Sequence, residues 1–576
     1  MKIALVGAEF EENLGLRYIA SSLETKGHQT EIFPFNSIFD RQNVIQAILT
    51  YKPDIVGLSM VFTSRAREFL NLSNHLKNAG YNGHIVAGGH FASFNSKQLL
   101  TDYPSITSVA TGEGENLMVT LTNHLNEPGI VPGLCYRNDQ GNIVCNPLPL
   151  KGNTNDLDLL PFPKRGSFHK YFGKKICNLV SSRGCWRNCA FCSICTWYEQ
   201  IGGKKFRYRH IDNIVAEMKQ LYDHEVRIFN FQDDNFFLPD QYQAIERFKT
   251  LRQRLREEKI DDVAIQIKAR PESINKEAIE ILRDMGLFRV FLGVENASNQ
   301  GLKNLNRLQT IDQTVNALTI LNDFDIHVEY NFLMFEPDVT MEDILCNIRF
   351  MGRYLENPFN FCRAEIYAGT GLATKLTAEN RLMGDYFGFT YQIKEPKCEM
   401  FYQVANYAFF DRNFSVYGLH YFNTEISVHF QLLRYFYPSL ITETLRCKVK
   451  DFIKQVNLDT YHWLCVIYDF INGGTHSQEE RINFARQIRS IVDLKGKDLY
   501  LKGQTIFGWM EKSYEKRHDQ NGFVHSSIID ADLQSFTQTS ANNDEEHGLN
   551  ETLDSITTSS DVVPCNSFIK ELKKIK

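Results

Sequence analysis

The chain has 576 residues, of which 43% are hydrophobic and 12% aromatic, and its formal net charge is −6. This length exceeds what one hydrophobic core supports, and the composition is that of a globular protein. Mixed charges without a basic stripe argue against nucleic acid as the main partner, and the lack of a run of about 18 apolar residues argues against a membrane span. The apolar run 3–8 turns acidic at once, which predicts a buried first strand rather than a signal peptide, so we expect a cytoplasmic protein.

Residues 1–126 alternate short apolar runs with amphipathic stretches. Strands that alternate with helices indicate parallel βαβ units, so this segment predicts an open, doubly wound (flavodoxin-like) sheet of roughly five strands. The predicted strands are 2–7, 30–35, 54–60, 84–90 and 105–115, and the predicted helices are 14–27, 41–51, 65–79 and 116–126.

Residues 127–175 are predicted to form a linker, because they contain a turn at 138–141 between two short β-like runs and then two prolines in LDLLPFPKR. From 176 to 375 the alternation resumes with six strand–helix repeats, which predicts an α/β unit of the (β/α)6 partial TIM barrel type. Its active face should lie at the carboxyl ends of the strands. The predicted strands are 176–182, 226–234, 264–270, 288–295, 327–335 and 362–368, and the predicted helices are 211–223, 240–257, 275–285, 311–323 and 341–355.

The remainder of the chain changes character twice. Residues 376–515 carry aromatic-rich helical periodicity, which predicts an α-rich C-terminal domain. Residues 519–576 are rich in Ser, Thr, Asn and Asp, a composition typical of a disordered tail.

Four cysteines fall within the segment CWRNCAFCSIC (185–195), whereas the 13 cysteines of the chain are too sparse for a disulfide framework. A dense cluster in a reducing compartment is expected to bind metal. Cys185, Cys189 and Cys192 lie on one tight loop, and three thiolates can hold three corners of a [4Fe–4S] cube and leave the fourth iron open to a small chelating molecule. The alternatives are incidental thiols or a zinc site, for which Cys195 could supply a fourth ligand, although no second CxxC or HxxxH pair follows.

Polar side chains end three of the predicted barrel strands. Asp233 and Asp234 follow an apolar strand, where they are placed to accept from an ammonium or a ribose hydroxyl, or else form part of a turn or helix cap. Glu295 follows Phe-Leu-Gly-Val, where an unpaired charge is costly, so it either pairs with an arginine such as Arg270 or binds ligand. Arg270 ends the third strand and is equally suited to a structural ion pair.

Two glycine-containing turns end strands of the first domain. They are Gly88-Gly89 and Gly112-Glu113-Gly114. Because ligands bind beyond the carboxyl ends of such strands, and glycine lets a ligand approach the backbone closely, we expect a binding site there.

The cysteine motif CxxxCxxC, with Phe191 before its last cysteine and a place on the loop after the first barrel strand, resembles the radical S-adenosylmethionine (SAM) superfamily. The resemblance covers roughly residues 176–375. It implies that the open iron binds the methionine end of SAM, which is cleaved reductively to a 5′-deoxyadenosyl radical. The segments 229–236, 292–298 and 330–340 resemble the family's strand ends near the cofactor amine, the methionine or ribose, and the adenine.

The first domain resembles the cobalamin-binding domain that precedes the radical barrel in one branch of this superfamily. The matching segments are 13–24, 56–64, 86–93 and 111–115. The Asp-x-His-x-x-Gly motif, whose histidine binds cobalt from below in many cobalamin carriers, does not occur in residues 1–125. His28 and His90 lack that context, and Asp325-Ile-His327 lies before a barrel strand, so the expected lower face of cobalt is open or water-bound.

Together the two resemblances imply three cofactors, namely a [4Fe–4S] cluster, SAM and cobalamin. They assign the metal to Cys185, Cys189 and Cys192, and they assign no catalytic side chain. The other cofactor-binding candidates are Asp233, Asp234, Glu295, Arg270, Gly88, Gly89, Gly112 and Glu113.

The implied activity is that of a methyltransferase, in which the radical activates an inert carbon of a small-molecule or natural-product substrate and cobalt delivers the methyl group. A cyclase, rearrangement or oxidation enzyme without net methylation is the alternative. A non-catalytic cobalamin-binding regulator is a distant one, because it would not need the cysteine triad. The expected partners are a small molecule and a reductant such as flavodoxin or ferredoxin, without nucleic acid or membrane.

Overall fold

The structure is a computed structural model that describes residues 1–148, 156–200, 202, 204–415 and 417–519. The predicted disordered tail lies outside the described residues, apart from its first residue. The chain divides into two compact units, the first formed by 1–338 and 363–393 and the second by 339–362 and the chain from 394 onward. The domain boundaries of the sequence analysis remain predictions.

The first unit opens with a seven-stranded sheet. Its first five strands along the chain are parallel, as predicted. Two further strands, formed by the two short β-like runs of the predicted linker, add an antiparallel extension. The strand order is β2-β1-β3-β4-β5-β6-β7. The strands are β1 (Lys2–Gly7), β2 (Gln29–Pro34), β3 (Ile55–Ser59), β4 (His84–Gly88), β5 (Ser108–Ala110), β6 (Leu134–Arg137) and β7 (Ile143–Cys145).

Helices cover both faces of this sheet, which explains why its strands are apolar on both sides. In β1, Ala4 and Val6 join the core on one face, whereas Ile3 and Leu5 join the core on the other. The helices are α1 (Leu14–Glu24), α2 (Arg41–Tyr51), α3 (Ala66–Asn78), α4 (His90–Phe94), α5 (Ser96–Asp102) and α6 (Gly114–Asn123).

One disulfide joins the two added strands. Cys135 of β6 and Cys145 of β7 are directly opposite each other and are bonded. The expectation that the scattered cysteines form no framework therefore needs this one local exception, which the sequence does not indicate because the strand register sets it.

A second sheet in the first unit carries the predicted barrel strands. Neighbouring strands from β9 to β15 are parallel, in the order β15-β14-β13-β12-β9, and β8 adds an antiparallel edge. A separate hairpin of β10 and β11 follows β9. The strands are β8 (Lys170–Tyr171), β9 (Lys174–Leu179), β10 (Ser182–Gly184), β11 (Phe206–Tyr208), β12 (Val226–Phe231), β13 (Ala264–Ala269), β14 (Leu287–Leu292) and β15 (His327–Phe335).

Helices connect these parallel strands, as βαβ units require. They include α7 (Ser193–Gln200), α8 (Ile211–Asp223), α9 (Gln241–Glu257), α10 (Lys276–Asp284), α11 (Asn299–Asn304) and α12 (Ile311–Asp323). The predicted helices over 211–223 and 311–323 have the observed bounds.

The second unit is mainly helical, in accord with the prediction for the C-terminal region. Arg412 ties three of its helices together, since it pairs with Asp459 at 2.7 Å and donates to the Val492 carbonyl at 3.0 Å. The remaining elements are α13 (Met341–Arg353), β16 (Phe359–Arg363), α14 (Gly371–Ala378) of the first unit, α15 (Pro396–Phe414), α16 (Leu419–Phe436), α17 (Glu443–Asn472) and α18 (Gln478–Asp519).

The sixth predicted strand is misplaced by three residues, because β16 begins at Phe359 rather than 362. Phe359 and Phe361 are buried, so the alternation of a strand already begins after Pro358. Among the described helices, none combines the length and the apolar character needed to cross a membrane.

Candidate cofactor sites

The cysteine motif forms the loop between β10 and α7. Cys189 is buried, Cys185 and Cys192 are partly buried, and all three thiols are free. The Cys192 N–H donates to the Cys189 carbonyl at 3.1 Å, which closes a tight turn. Cys195 lies in the first turn of α7 and faces the backbone of the same loop, where its thiol donates to the Cys185 carbonyl at 3.4 Å.

Neighbouring segments hold this loop through backbone hydrogen bonds. The Ala190 N–H donates to the Leu305 carbonyl at 2.9 Å, and the Ala190 carbonyl accepts from Leu372 at 2.7 Å. The Asn306 side chain donates to the Asn188 carbonyl at 2.6 Å. The loop is therefore clamped between the segment after α11 and the start of α14.

The cysteine loop supplies the donor set of an iron–sulfur cluster. In the described part of the chain, no group of three or more His, Cys, Asp or Glu side chains is arranged to hold a single metal ion. A cube places each thiolate on a different iron, so three separate thiols on one loop suit it. Asn235 follows Asp234, which binds the Gly184 N–H, and its buried Nδ2 has no hydrogen-bond partner among the described residues. The buried Oδ1 of Asn331, on β15 beside Glu295, has none either, so polar groups remain for a ligand at these strand ends.

Asp233 and Asp234 anchor the segment that leads into the cysteine loop. Asp233 is fully buried, and its carboxylate accepts from the Ser181 N–H at 2.6 Å and from the Ser181 and Ser182 hydroxyls. Asp234 accepts from the Gly184 N–H at 2.9 Å. Burial raises the pKa of Asp233 to about 6 and also raises the pKa of Asp234. A direct contact of either carboxylate with SAM stays a prediction.

Gly184 cannot be replaced at this position. Its φ is +88°, and a Cβ would lie 1.8 Å from the Lys205 carbonyl oxygen. The glycine of the Arg-Gly-Cys sequence therefore serves the close pairing of β10 with β11, which aims the chain into the loop.

Arg270 and Glu295 do not pair with each other. Arg270 pairs with Glu272 at 2.5 Å, and Glu295 faces Arg307 at 3.8 Å. Both arginines donate to the Cys189 sulfur, Arg270 at 3.3 Å and Arg307 at 3.4 Å. The sequence does not indicate that Arg307 belongs to this site, because Arg307 lies 118 residues from Cys189 in a loop without a motif.

Glu295 has a strained backbone, with φ at +61°. Its N–H donates to the Asn331 carbonyl at 3.1 Å, and its carbonyl accepts from Leu333 at 2.6 Å, so β15 holds it in place. Strain of this kind in a non-glycine residue is concentrated at functional sites. Ligand binding by Glu295 stays a prediction.

The glycine turns of the first domain line a cavity of about 340 Å³ at the carboxyl ends of β1, β3, β4 and β5, which we call the strand-end cavity. Its size is typical of a ligand site. The lining includes Gly57, Gly88, Gly89, Gly112 and Glu113 from the sheet domain, and Arg183, Trp197, Tyr198 and Asp234 from the cysteine-loop region.

Several features of the strand-end cavity suit a large cofactor. A Cβ at Gly57 would lie 3.1 Å from Leu5, so glycine keeps the space open there. The buried Trp197 Nε1 has no acceptor among the described residues. By contrast, the backbone conformation at Gly89 requires a glycine, because its φ is +98° and a Cβ would lie 2.9 Å from the Met60 carbonyl oxygen.

Glu113 is engaged by two arginines of the cysteine-loop region. Arg207 donates to both of its carboxylate oxygens, at 2.7 and 3.1 Å, and Arg183 donates at 3.1 Å. Burial opposes ionisation, but the charges and hydrogen bonds of Arg183 and Arg207 outweigh it and lower the pKa of Glu113. The carboxylate thus joins the two halves of the cavity wall.

The loop after β1 supplies the carboxylate of Glu12 to a second contact, between the sheet domain and the segment around β9. Glu12 accepts from Arg165 at 2.7 Å and from the Asn178 N–H at 3.0 Å. His90 is the histidine that lines the strand-end cavity, where its ring contacts Trp197 with 4.6 Å between centroids. Burial lowers the pKa of His90 to about 4.

Comparison with known proteins matches two segments of the chain with protein families. Residues 179–351 match the radical SAM superfamily, and residues 3–122 match the B12 binding domain.

Three curated relatives share 27% identity with the chain. An uncharacterized methyltransferase of Pyrococcus horikoshii matches over 64% of this chain and 79% of its own length. Hopanoid C-3 methylase of Methylococcus capsulatus matches over 57% and 61%, and anaerobic magnesium-protoporphyrin IX monomethyl ester cyclase of Rubrivivax gelatinosus over 59% and 62%. The chain thus spans less than two thirds of the last two relatives.

A solved structure shares the fold over most of the chain. The cobalamin-dependent S-adenosylmethionine radical enzyme OxsB, with aqua-cobalamin and S-adenosylmethionine bound, aligns with a TM-score of 0.64 at 16% identity, covering 91% of this chain and 82% of that one. Both predicted folds, the doubly wound domain and the partial barrel, are confirmed by these matches. The chain therefore belongs to the branch of the radical SAM superfamily in which a cobalamin-binding domain precedes the radical SAM domain, a branch whose cofactors are a [4Fe–4S] cluster, SAM and cobalamin.

Proposed function

We propose that the chain is a cobalamin-dependent radical SAM methyltransferase that acts on an unactivated carbon of a small molecule. The position of Asp234 carries this proposal. It accepts the Gly184 N–H at 2.9 Å, immediately before Cys185, and it also lines the strand-end cavity. A residue common to both candidate cofactor sites means that the sites adjoin, as a reaction using both cofactors on one substrate requires.

In this proposal Cys185, Cys189 and Cys192 bind the cluster, and the glycine turns of the strand-end cavity receive cobalamin. When bound, the cluster and SAM supply one-electron chemistry, and cobalamin supplies the methyl carrier. Asp233 and Asp234 hold the backbone that leads into the cysteine loop. The buried rings of Trp197 and Tyr198 keep water from the wall between the two sites.

The names of the relatives support methyl transfer but also leave a second candidate. Two of the three are a methyltransferase and a methylase, whereas the third is a cyclase. We therefore retain a cyclase, rearrangement or oxidation without net methylation as the alternative. A cytoplasmic location and a reductant such as flavodoxin or ferredoxin complete the proposal, since the cluster needs a supply of single electrons.

The test uses the full chain, purified anaerobically and reconstituted with iron, sulfide and hydroxocobalamin. SAM with a deuterated methyl group is added with a strong reductant. Mass spectrometry then measures 5′-deoxyadenosine and the label on the bound cobalamin. A variant with all three loop cysteines changed to alanine is the control.

Deoxyadenosine from the intact protein alone, with the label on cobalamin, supports the methyltransferase. Deoxyadenosine with unlabelled cobalamin supports the alternative without methylation. A protein that assembles no [4Fe–4S] cluster contradicts both.

A further inference from the structure

We propose that Arg270 and Arg307 are positioning residues that together bind the Cys189 sulfur and make the reduction potential of its cluster less negative. This inference rests on the proposed role of Cys189 as a cluster ligand. The two Nη1 atoms lie 3.3 and 3.4 Å from the sulfur, and both arginines are about 95% buried, with exposures of 5% and 4%.

The remaining contacts of the two guanidinium groups fix their orientation. Arg270 donates from Nε to Glu272 at 2.5 Å and from Nη2 to the Arg307 carbonyl. Arg307 donates from Nη2 to the Gly293 carbonyl at 2.5 Å and to Gln309 at 3.0 Å. In Arg270 these contacts leave Nη1 for the sulfur, whereas in Arg307 Nη1 lies between the sulfur and the Glu295 carboxylate, which is 3.8 Å away. The two arginines are also linked to each other.

The backbone around Arg307 is built to turn it inward. Its neighbours Asn306 and Leu308 have φ values of +50° and +51°, a conformation rare for residues other than glycine. Leu308 is 64% exposed, whereas Arg307 between them is buried. The strained backbone on either side of Arg307 thus leaves Leu308 in solvent and keeps Arg307 buried beside Cys189. Backbone strain of this kind is concentrated at functional sites.

The expected effect follows from electrostatics. Reduction of a cluster adds one negative charge, which hydrogen bonds and positive charges at a ligand sulfur stabilise, and low dielectric strengthens this effect. The negative charge of Glu272 opposes this stabilisation of the reduced cluster. Its side chain is only 10% exposed, and it pairs with Arg270 at 2.5 Å and with Arg187 at 3.3 Å. The two arginines and this carboxylate should therefore shift the potential in opposite directions.

The test is a redox titration of the reconstituted full chain, followed by electron paramagnetic resonance of the reduced cluster, with iron and sulfide measured in each sample. The variants are R270Q, R307Q, R270K, R307K and E272Q. R227Q is the matched control, because Arg227 pairs with Asp262 at the start of β12, the end of the barrel strands opposite the cysteine loop.

We expect R270Q and R307Q to shift the midpoint potential to more negative values. The lysine variants should recover part of the shift, E272Q should shift it to less negative values, and R227Q should leave it unchanged. Unchanged potentials in the glutamine variants overturn the inference. If the glutamine variants assemble no cluster, the midpoint potential of E272Q is the test, since that variant keeps Arg270 and Arg307. An unchanged potential in E272Q overturns the inference too. A wild-type chain without a cluster instead refutes the proposed function, so the two failures are distinguishable.

Discussion

Arg183 and Glu115 form a buried ion pair, with 2.7 Å between Nη2 and Oε1, that joins the cysteine-loop region to the sheet domain. Arg183 lies two residues before Cys185, and Glu115 lies at the start of α6, beside the strand-end cavity. The two side chains are 14% and 6% exposed. The pair therefore fixes the cluster loop relative to the wall that we propose for cobalamin.

We expect Glu115→Ala to weaken both candidate cofactor sites at once. The substitution leaves Arg183 with Glu113 alone, which Arg207 also binds, so the cost should lie below the roughly 3–5 kcal/mol of a buried charge left without any partner. Cobalamin retained after desalting, iron content and Tm should all fall. Glu225→Ala is the control, because Glu225 pairs with Lys175 at an exposed site and should leave all three unchanged. Loss of cobalamin with full iron content would contradict a shared anchor.

Gly88→Leu should abolish cobalamin retention and leave the cluster intact. Gly88 lines the strand-end cavity, its φ is not positive, and an added Cβ would meet only Ala110, at 3.7 Å or more. A leucine there is expected to fill the cavity without straining the backbone. Gly508→Leu, where a Cβ meets no atom within 4 Å, is the matched control. Normal cobalamin retention in Gly88→Leu would show that the cofactor binds elsewhere.

Single alanine substitutions should distinguish the three proposed ligand cysteines from Cys195 by the iron and sulfide content of each variant. Cys185→Ala, Cys189→Ala and Cys192→Ala each remove one corner of the cube, so iron and sulfide content should fall sharply. Cys195→Ala should retain the full iron content, because the Cys195 thiol donates to the loop backbone. Iron loss in Cys195→Ala equal to that in the other three would indicate a four-cysteine site.

These predictions draw on features that the sequence reveals to different degrees. The strands, the helices and the cysteine loop are local patterns, and periodicity placed α2, α8 and α12 at their observed bounds. The antiparallel strands β6 and β7 coincide with the two short β-like runs of the predicted linker, but runs of three or four residues do not indicate that they extend the parallel sheet.

The contacts that organise the site could not be read from the sequence. Arg183 and Glu113 are 70 residues apart, and Arg270 and Cys189 are 81 residues apart. Such pairs form only when two strand ends meet in the fold, and a single sequence does not say which charges will meet. Glu295 illustrates this, since the arginine beside it is Arg307 and not the Arg270 that its place at a strand end favoured.

His90 gives a prediction on pH. The unfolded chain protonates a histidine near its ordinary pKa of 6.5, whereas burial lowers the pKa of His90 to about 4. The unfolded state therefore takes up this proton first, and folding stability falls as the pH drops from 6.5 towards 4, by about 3 kcal/mol in total. In His90→Gln this contribution is absent, so the Tm of the wild type relative to the variant should decrease on acidification.

Thermal unfolding of both proteins from pH 7.5 to 4.5 checks this difference. Other buried histidines such as His84, whose pKa burial also lowers to about 4, are present in both proteins and cancel. Parallel curves for His90→Gln would mean that His90 accepts a proton in the folded protein as readily as in the unfolded chain, and the cavity wall beside Trp197 would then have to admit water.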